Sequence, residues 1–293
     1  MKRKQIQKQM QAQPQVPVNT ADSNAKADRL CTCLFYALIV ASISLFGGGV
    51  YFATTNFIAS LNRVPTDWNG ILLMTLCLAA SVLLSRALFW LSFFGTTMLA
   101  ARSGAWKTGE ATCLRAMKLP RSLSRGTTWA SLALIQSLVS RGKYTEALKE
   151  ADEEWARSGE DVREVHNLGP LCVTAGMASQ LAEDGLKDSL KWNERGIECL
   201  NKAVEDLAKP KKGFFAKTIA AAPQSTELLG QLRQQLAVAH FNVASIYFSK
   251  NDYRRAKEQF KKAVDNAGQA PDFPQKSDII KHARDQLGRL KHH

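Results

Sequence analysis

The apolar positions of this 293-residue chain fall into two regimes. Between Cys31 and Ala101 the only charged side chains are Arg63, Asp67 and Arg86, and long stretches are apolar all round. From Arg102 onward apolar residues recur at three-and-four spacing among charged ones, the signature of helices that bury one side. The first regime predicts helices surrounded by hydrocarbon, the second helices that pack on one another in water. Cys31–Phe52 has no charge, and at ~1.5 Å per residue it is long enough to cross a hydrocarbon core of ~30 Å. Residues 53–69, with Asn56, Asn62, Arg63, Pro65, Thr66, Asp67 and Trp68, read as a short polar turn. The apolar run from Gly70 to Ala101 exceeds one span. With a second span from Trp68 to about Leu88, Arg86 reaches the far interface, snorkelling beside Trp90, and the two serve as interface anchors. A functional arginine inside the membrane is the alternative. Ser44 and Gly48, and again Gly49 and Ala53, are small residues four apart that let a helix backbone approach closely. They suit packing of the first span against the second, or a contact between two copies of the chain.

Basic residues set the orientation. Lys2, Arg3, Lys4, Lys8, Lys26 and Arg29 precede the first span and Arg86, Arg102, Lys107, Arg115 and Lys118 lie at or beyond the end of the second, against Arg63 alone in the connection. Both termini are therefore expected on the cytoplasmic side, in a bacterial inner membrane or a eukaryotic organelle membrane. Residues 1–30, rich in Gln, Asn, Pro and Lys, have little to bury and read as a disordered basic tail.

In the second regime the clearest stretch is Ala237–Gly268. His240, Val243, Ala244 and Tyr247 share one helical face, Asn251 and Asp252 break the pattern, and Ala256, Phe260, Ala263 and Val264 share the next. Lysines, arginines and Glu258 fill the opposite side, so the stretch predicts a helical hairpin. The gaps between Asn251, Tyr253, Ala256, Phe260 and Ala263 recur at Gly142, Tyr144, Ala147, Ala151 and Glu154, after a first helix with Leu134 and Leu138 inside. They recur again at Gly104, Trp106, Gly109, Cys113 and Ala116, which makes Trp90–Arg102 a first repeat helix and explains the long apolar run. A degenerate unit lies between, with Gly196, Leu200 and Ala203 on a second helix and Met177, Ala178 and Leu181 on a first, provided that Leu186–Trp192 is an insertion. Residues 209–223 read as a linker; Phe214 and Phe215 beside Lys211 and Lys212 suit either a membrane surface or a loop packed on its neighbour. Ser277–Leu290 predicts a final helix that caps the array.

The hairpin resembles the tetratricopeptide repeat, a 34-residue helix–turn–helix unit. Tyr247, Ala256 and Phe260 match its pattern, His240 stands for its Trp, Val243 for its Leu and Ala244 for its Gly, while Pro271 comes late. The resemblance implies an all-α fold: a two-helix transmembrane hairpin over 31–89, then an α-solenoid of such hairpins over 90–293. It further implies a concave groove lined by first helices that receives a protein or peptide partner. Carried over by position, the groove residues are Trp129, Leu132, Gln136 and Val139 with Val238, Phe241, Asn242, Ser245 and Phe248. Packing of Trp129 and Phe241 against adjacent repeats is the competing reading. Asn242 resembles one element of a grip on a C-terminal carboxylate, but no matching Lys and Arg pair accompanies it.

Composition narrows the function. The net charge of +13 is spread along the chain, not gathered into a basic face with stacking aromatics, which argues against nucleic acid as a partner. Six cysteines form no CxxC and have no histidine at ligand spacing, so no metal or other cofactor is expected. Cys31 and Cys33, near a membrane edge, are either acylated or small core residues. No motif for a nucleophile, metal or phosphate cradle is present, and Asp152, Glu153 and Glu154 read as a solvated helix face. The sequence therefore predicts a non-enzymatic, membrane-anchored scaffold that binds protein or peptide partners. Alternatives are a receptor for protein targeting or translocation, or a structural subunit that assembles with other proteins or with itself through its spans.

Overall fold

The computed structural model describes residues 24–61, 68–119, 128–158, 165–182, 186–208 and 223–290. Among them are ten helices and no strand. They form two compact units, one within Asn19–Lys118 and one within Leu119–His293. Residues 1–23 of the basic tail, the 62–67 connection and the 209–222 linker lie outside the described residues; residues 25–30, expected to be disordered, instead form the first turns of a helix.

The first unit holds α1 (Ala25–Leu61), α2 (Trp68–Ser103) and α3 (Trp106–Met117). Both α1 and α2 are long and apolar enough to cross a membrane. They run antiparallel, since Phe35 meets Phe93 edge-on at 5.1 Å while Ser42 meets Ser85 further along. The serine contact is reciprocal: Ser42 Oγ donates to the Ser85 carbonyl and Ser85 Oγ to the Ser42 carbonyl, each at 2.8 Å. The polar turn expected over 53–69 starts later, because α1 continues to Leu61. Its Thr54, Thr55 and Asn56 each donate to the carbonyl four residues back, so these side chains satisfy themselves without breaking the helix. Trp90–Arg102 is continuous with the apolar part of α2. Helix α3 folds back along α2 and touches α1, where Asp28 Oδ1 accepts from the Thr108 backbone N–H at 3.0 Å.

The second unit is a stack of helical hairpins: α4 (Thr128–Ser140) with α5 (Tyr144–Ser158), α6 (Val165–Leu181) with α7 (Leu186–Ala208), and α8 (Pro223–Ser249) with α9 (Tyr253–Gln269). A last helix, α10 (Lys276–Arg289), packs on α9 and α8. The three residues of positive φ among those described are Gly104, Gly142 and Asn251. They are the positions at which the repeated spacing starts. Each turn needs one left-handed residue, which glycine adopts freely and asparagine tolerates. Asp252 then caps α9 by accepting from the Arg255 N–H at 3.1 Å.

Small residues set the helix separations. A Cβ at Gly169 would lie 2.6 Å from Leu200 Cγ, one at Gly196 2.9 Å from Val173 Cγ2, and one at Gly176 would overlap the Asn193 amide. Helices α6 and α7 therefore touch backbone to side chain at three places along two turns. The residues expected as an insertion, 186–192, extend α7 at its start, giving it 23 residues. Ala244 and Ala256 do the same for α8 and α9, beside fully buried Phe260.

Candidate functional site

In the second unit the first helix of each hairpin packs beside the first helix of the next, α4 by α6 and α6 by α8. Helices α5 and α7 also pack on the first helix that follows them, so the second helices form a separate row. The two rows differ in chemistry. Neither α4 nor α6 contains Asp, Glu, Lys or Arg, whereas α5, α7 and α9 carry charges along their solvent side.

Each first helix leaves one stripe uncovered. On α4 Gln136 is exposed and Trp129, Leu132 and Val139 are half-buried. On α6 the stripe is Pro170, Thr174 and Met177, half-buried, and Leu181, 40% exposed. On α8 Val238, Ser245 and Phe248 are half-buried. The stripes on these neighbouring helices are uncharged and carry apolar patches with scattered amide and hydroxyl groups. Sequence reasoning had not placed Pro170 and Thr174 there, although they share the three-and-four spacing of Met177 and Leu181 in a charge-free segment.

Two carried-over residues face inward. Asn242 is 3% exposed and donates to Asn193 Oδ1 at 3.3 Å. Asn193 in turn donates to the Ser189 carbonyl, and Ser189 Oγ donates to the Gly176 carbonyl, both at 2.8 Å. This buried polar ladder ties α6, α7 and α8 together and uses the amide that a peptide would need. Phe241, half-buried, packs edge-on against Phe260 at 5.8 Å and against the cluster that holds Ala263, Phe273 and Ile279.

The row of second helices is joined by charge. Arg195 lies over the indole rings of Trp155, at 4.5 Å, and Trp192, at 5.0 Å, bridging α5 and α7. Tyr247 donates to Glu194 at 3.0 Å while Arg255 lies over its ring. A cleft of about 340 Å³ lies beside Ile197, Asn201, His240, Gln259 and Lys262. His240 is buried, and burial pushes its imidazole below the usual range against the opposing bond to Gln259 at 2.7 Å.

Glu154 overturns the reading of 152–154 as a solvated face. Asp152 and Glu153 are exposed, but Glu154 is fully buried. Its carboxylate accepts from Thr128 at 2.9 Å, Ser131 at 2.8 Å and Ser158 at 2.7 Å, and pairs with Arg157 at 2.9 Å. The repeated spacing had placed it at a packing position, and the register prevailed over the charge. With its acceptor capacity filled by hydroxyls and Arg157, it is a structural carboxylate.

In the first unit the small residues divide by face. A Cβ at Gly49 would overlap the Ser81 side chain, and Ala53 is buried, so both lie on the side of α1 that meets α2. Ser44 and Gly48 are exposed, and a Cβ at Gly48 would meet nothing within 4 Å. Arg86 is exposed and Trp90 half-buried. All six cysteines are free thiols; Cys33 and Cys77 are exposed.

The family comparison lands on the hairpin with the clearest pattern: the tetratricopeptide repeat model matches residues 237–269. This segment is a tetratricopeptide repeat. It comprises the second half of α8, the Asn251 turn and α9. No curated protein and no solved structure matches the chain. Tetratricopeptide repeats are protein-interaction modules, which agrees with two rows of helices presenting one uncharged and one charged face.

Proposed function

We propose that the protein is a non-enzymatic, membrane-anchored scaffold. Its α1–α2 hairpin crosses the bilayer with both termini cytoplasmic, and its helical array binds a protein partner along the stripes of α4, α6 and α8. The observation that carries this is the uncharged face on three adjacent first helices, opposite a row of charged second helices. A binding face without Lys or Arg on α4 and α6 disfavours acidic segments and a C-terminal carboxylate. It suits a segment that buries apolar side chains and meets Gln136, Thr174 and Ser245 with its backbone polar groups.

The test compares proteins captured from native membranes by the full chain with those captured by Leu132→Glu combined with Thr174→Glu. Lys202→Glu, on the charged row, serves as a control. Loss of the same partners in the double variant alone is expected. Retention by the double variant with loss in the control would overturn the assignment of the face.

A further inference from the structure

We infer that the half of the α1–α2 hairpin next to α3 is a docking surface for an acidic amphipathic helix of a partner protein. The inference rests on the membrane reading above and goes beyond it. The exposed apolar belt is longer than a bilayer. On α1 it runs from Leu30, 63% exposed, to Ile58, 54% exposed, or about 42 Å at ~1.5 Å per residue. A hydrocarbon core of ~30 Å covers that length only if the hairpin tilts by about 45°, outside the usual range of up to ~40°.

Arg86 indicates which end is left out. From Trp68 to Arg86 the α2 segment has no charge and measures about 27 Å, the depth of one core. Arg86 sits at the level of the reciprocal Ser42–Ser85 pair, and the antiparallel pairing carries the boundary onto α1 near Ser42. Residues 25–41 and 87–103 then stand outside the hydrocarbon as a helix pair, and the first span moves from the Cys31–Phe52 expected from the sequence to about Ser42–Leu61. Helix α3 covers part of this pair through Asp28, Thr32, Thr97 and Ala100. Leu30, Leu34 and Val40 of α1, with Leu91, Met98 and Leu99 of α2, stay exposed. Six large apolar side chains exposed on this short helix pair call for a cover in water.

Charge selects that cover. The exposed charged residues of this half are Lys26, Arg29, Arg86, Arg102, Lys107, Arg115 and Lys118, all basic. Asp28 is half-buried and engaged with Thr108, and Glu110 also has a partner. A second copy would place like charges together, which disfavours self-association through this face. A helix with a leucine stripe flanked by glutamates complements both the apolar strip and its rim.

Two measurements on the full chain in phosphatidylcholine nanodiscs test this. In the first, a photo-cross-linking side chain replaces Leu72 or Leu83 in the far half, or Leu91 or Met98 in the near half. The expected result is lipid adducts from the far positions and none from the near ones. In the second, a fluorescent helix peptide with a leucine stripe and glutamate flanks is titrated, alongside its lysine-flanked counterpart. The acidic peptide should bind at least about tenfold tighter, and Arg29→Glu with Arg102→Glu should remove the difference, since a few exposed charge pairs at the rim make up that factor. Met98→Glu should abolish binding of both.

Lipid adducts at Leu91 and Met98 as well as at the far positions would overturn the docking surface and leave the membrane reading standing. Absence of adducts at Leu72 and Leu83 would overturn the membrane reading itself. Equal binding of the two peptides, cross-links between copies, or cross-links to the chain's own repeats would each overturn the assignment of an acidic partner helix.

Discussion

Removing the Glu154 carboxylate should loosen the α4–α5 hairpin and leave the last repeat intact. Glu154 is fully buried and receives three hydroxyl bonds of 2.7–2.9 Å, from Thr128 and Ser131 of α4 and Ser158 of α5. A hydrogen bond to a charged acceptor contributes about 1.5–3 kcal/mol, and buried hydroxyls left without their acceptor cost about 1–3 kcal/mol. Arg157 is 39% exposed, so its pairing with Glu154 is screened and adds little. Glu154→Ala should therefore destabilise the hairpin by about 3 kcal/mol, a factor of more than a hundred in its opening equilibrium. Stacked repeats couple mainly to their neighbours, so the effect should fade towards α9. Amide hydrogen exchange on the full chain reads this directly: protection should fall in α4 and α5 and stay within about threefold in α9. Replacing the whole cluster, Glu154→Leu with Thr128→Val, Ser131→Ala and Ser158→Ala, should restore most of the protection, because an apolar cluster of similar volume replaces a buried charge without loss. Unchanged protection in Glu154→Ala, or an equal drop in α9, would refute the reasoning.

Other perturbations read out different parts of the chain. The unfolded chain takes up the His240 proton more readily than the folded one, so the last repeat should hold its full stability above about pH 6.5 and lose it as pH falls through the lower folded value; His240→Phe should flatten that slope in thermal unfolding followed between pH 7.5 and 5. Gly49→Val should splay the hairpin by overpacking, at about 1–3 kcal/mol, while Gly48→Val should not, as measured by disulfide formation between cysteines placed at Ser42 and Ser85. With Cys33 and Cys77 replaced by serine, an impermeant thiol reagent on intact cells should label Thr66→Cys and spare Lys250→Cys, and the reverse would refute the topology. Cys199 is a poor reporter for that purpose, being buried with its thiol pushed up by burial and by Glu198.

The positions legible in the sequence were those where spacing and sterics agree. Asn251, Gly142 and Gly104 mark turns because each needs a left-handed residue, and counting outward from them located Ala256, Phe260, Ala147 and Ala151 in the core. Charge alone was a poorer guide. It put Glu154 in solvent, since nothing local shows that Thr128, Ser131 and Ser158 converge on it from two helices. Polar composition also suggested a turn from residue 53, but a threonine or asparagine in a helix can bond to its own preceding turn. Asn242 was assigned to the groove by position, and its burial depends on Asn193, forty-nine residues earlier, which no local pattern reveals.

The same contacts explain why the family model matches one hairpin among several of similar architecture. In α8–α9 the junction follows the family's own chemistry, with alanines at the crossing and Tyr247 and Phe260 beside them. In α4–α5 an alanine position is taken by Glu154, and three hydroxyls compensate for it. In α6–α7 glycines at 169, 176 and 196 bring the helices together, α7 starts earlier, and the Ser189–Asn193–Asn242 ladder fills the space. Each substitution is coherent only with its partners on another helix, so the hairpin geometry survives while the one-dimensional pattern does not. Exchanging one member alone should therefore be harmful: Asn193→Ala would leave the Asn242 amide buried without its acceptor, at about 1–3 kcal/mol. Asn193→Ala with Asn242→Ala should recover part of that loss, and a double-mutant cycle on thermal stability measures the coupling. A coupling below about 0.5 kcal/mol would mean that the ladder fills space without joining the last repeat to its neighbour.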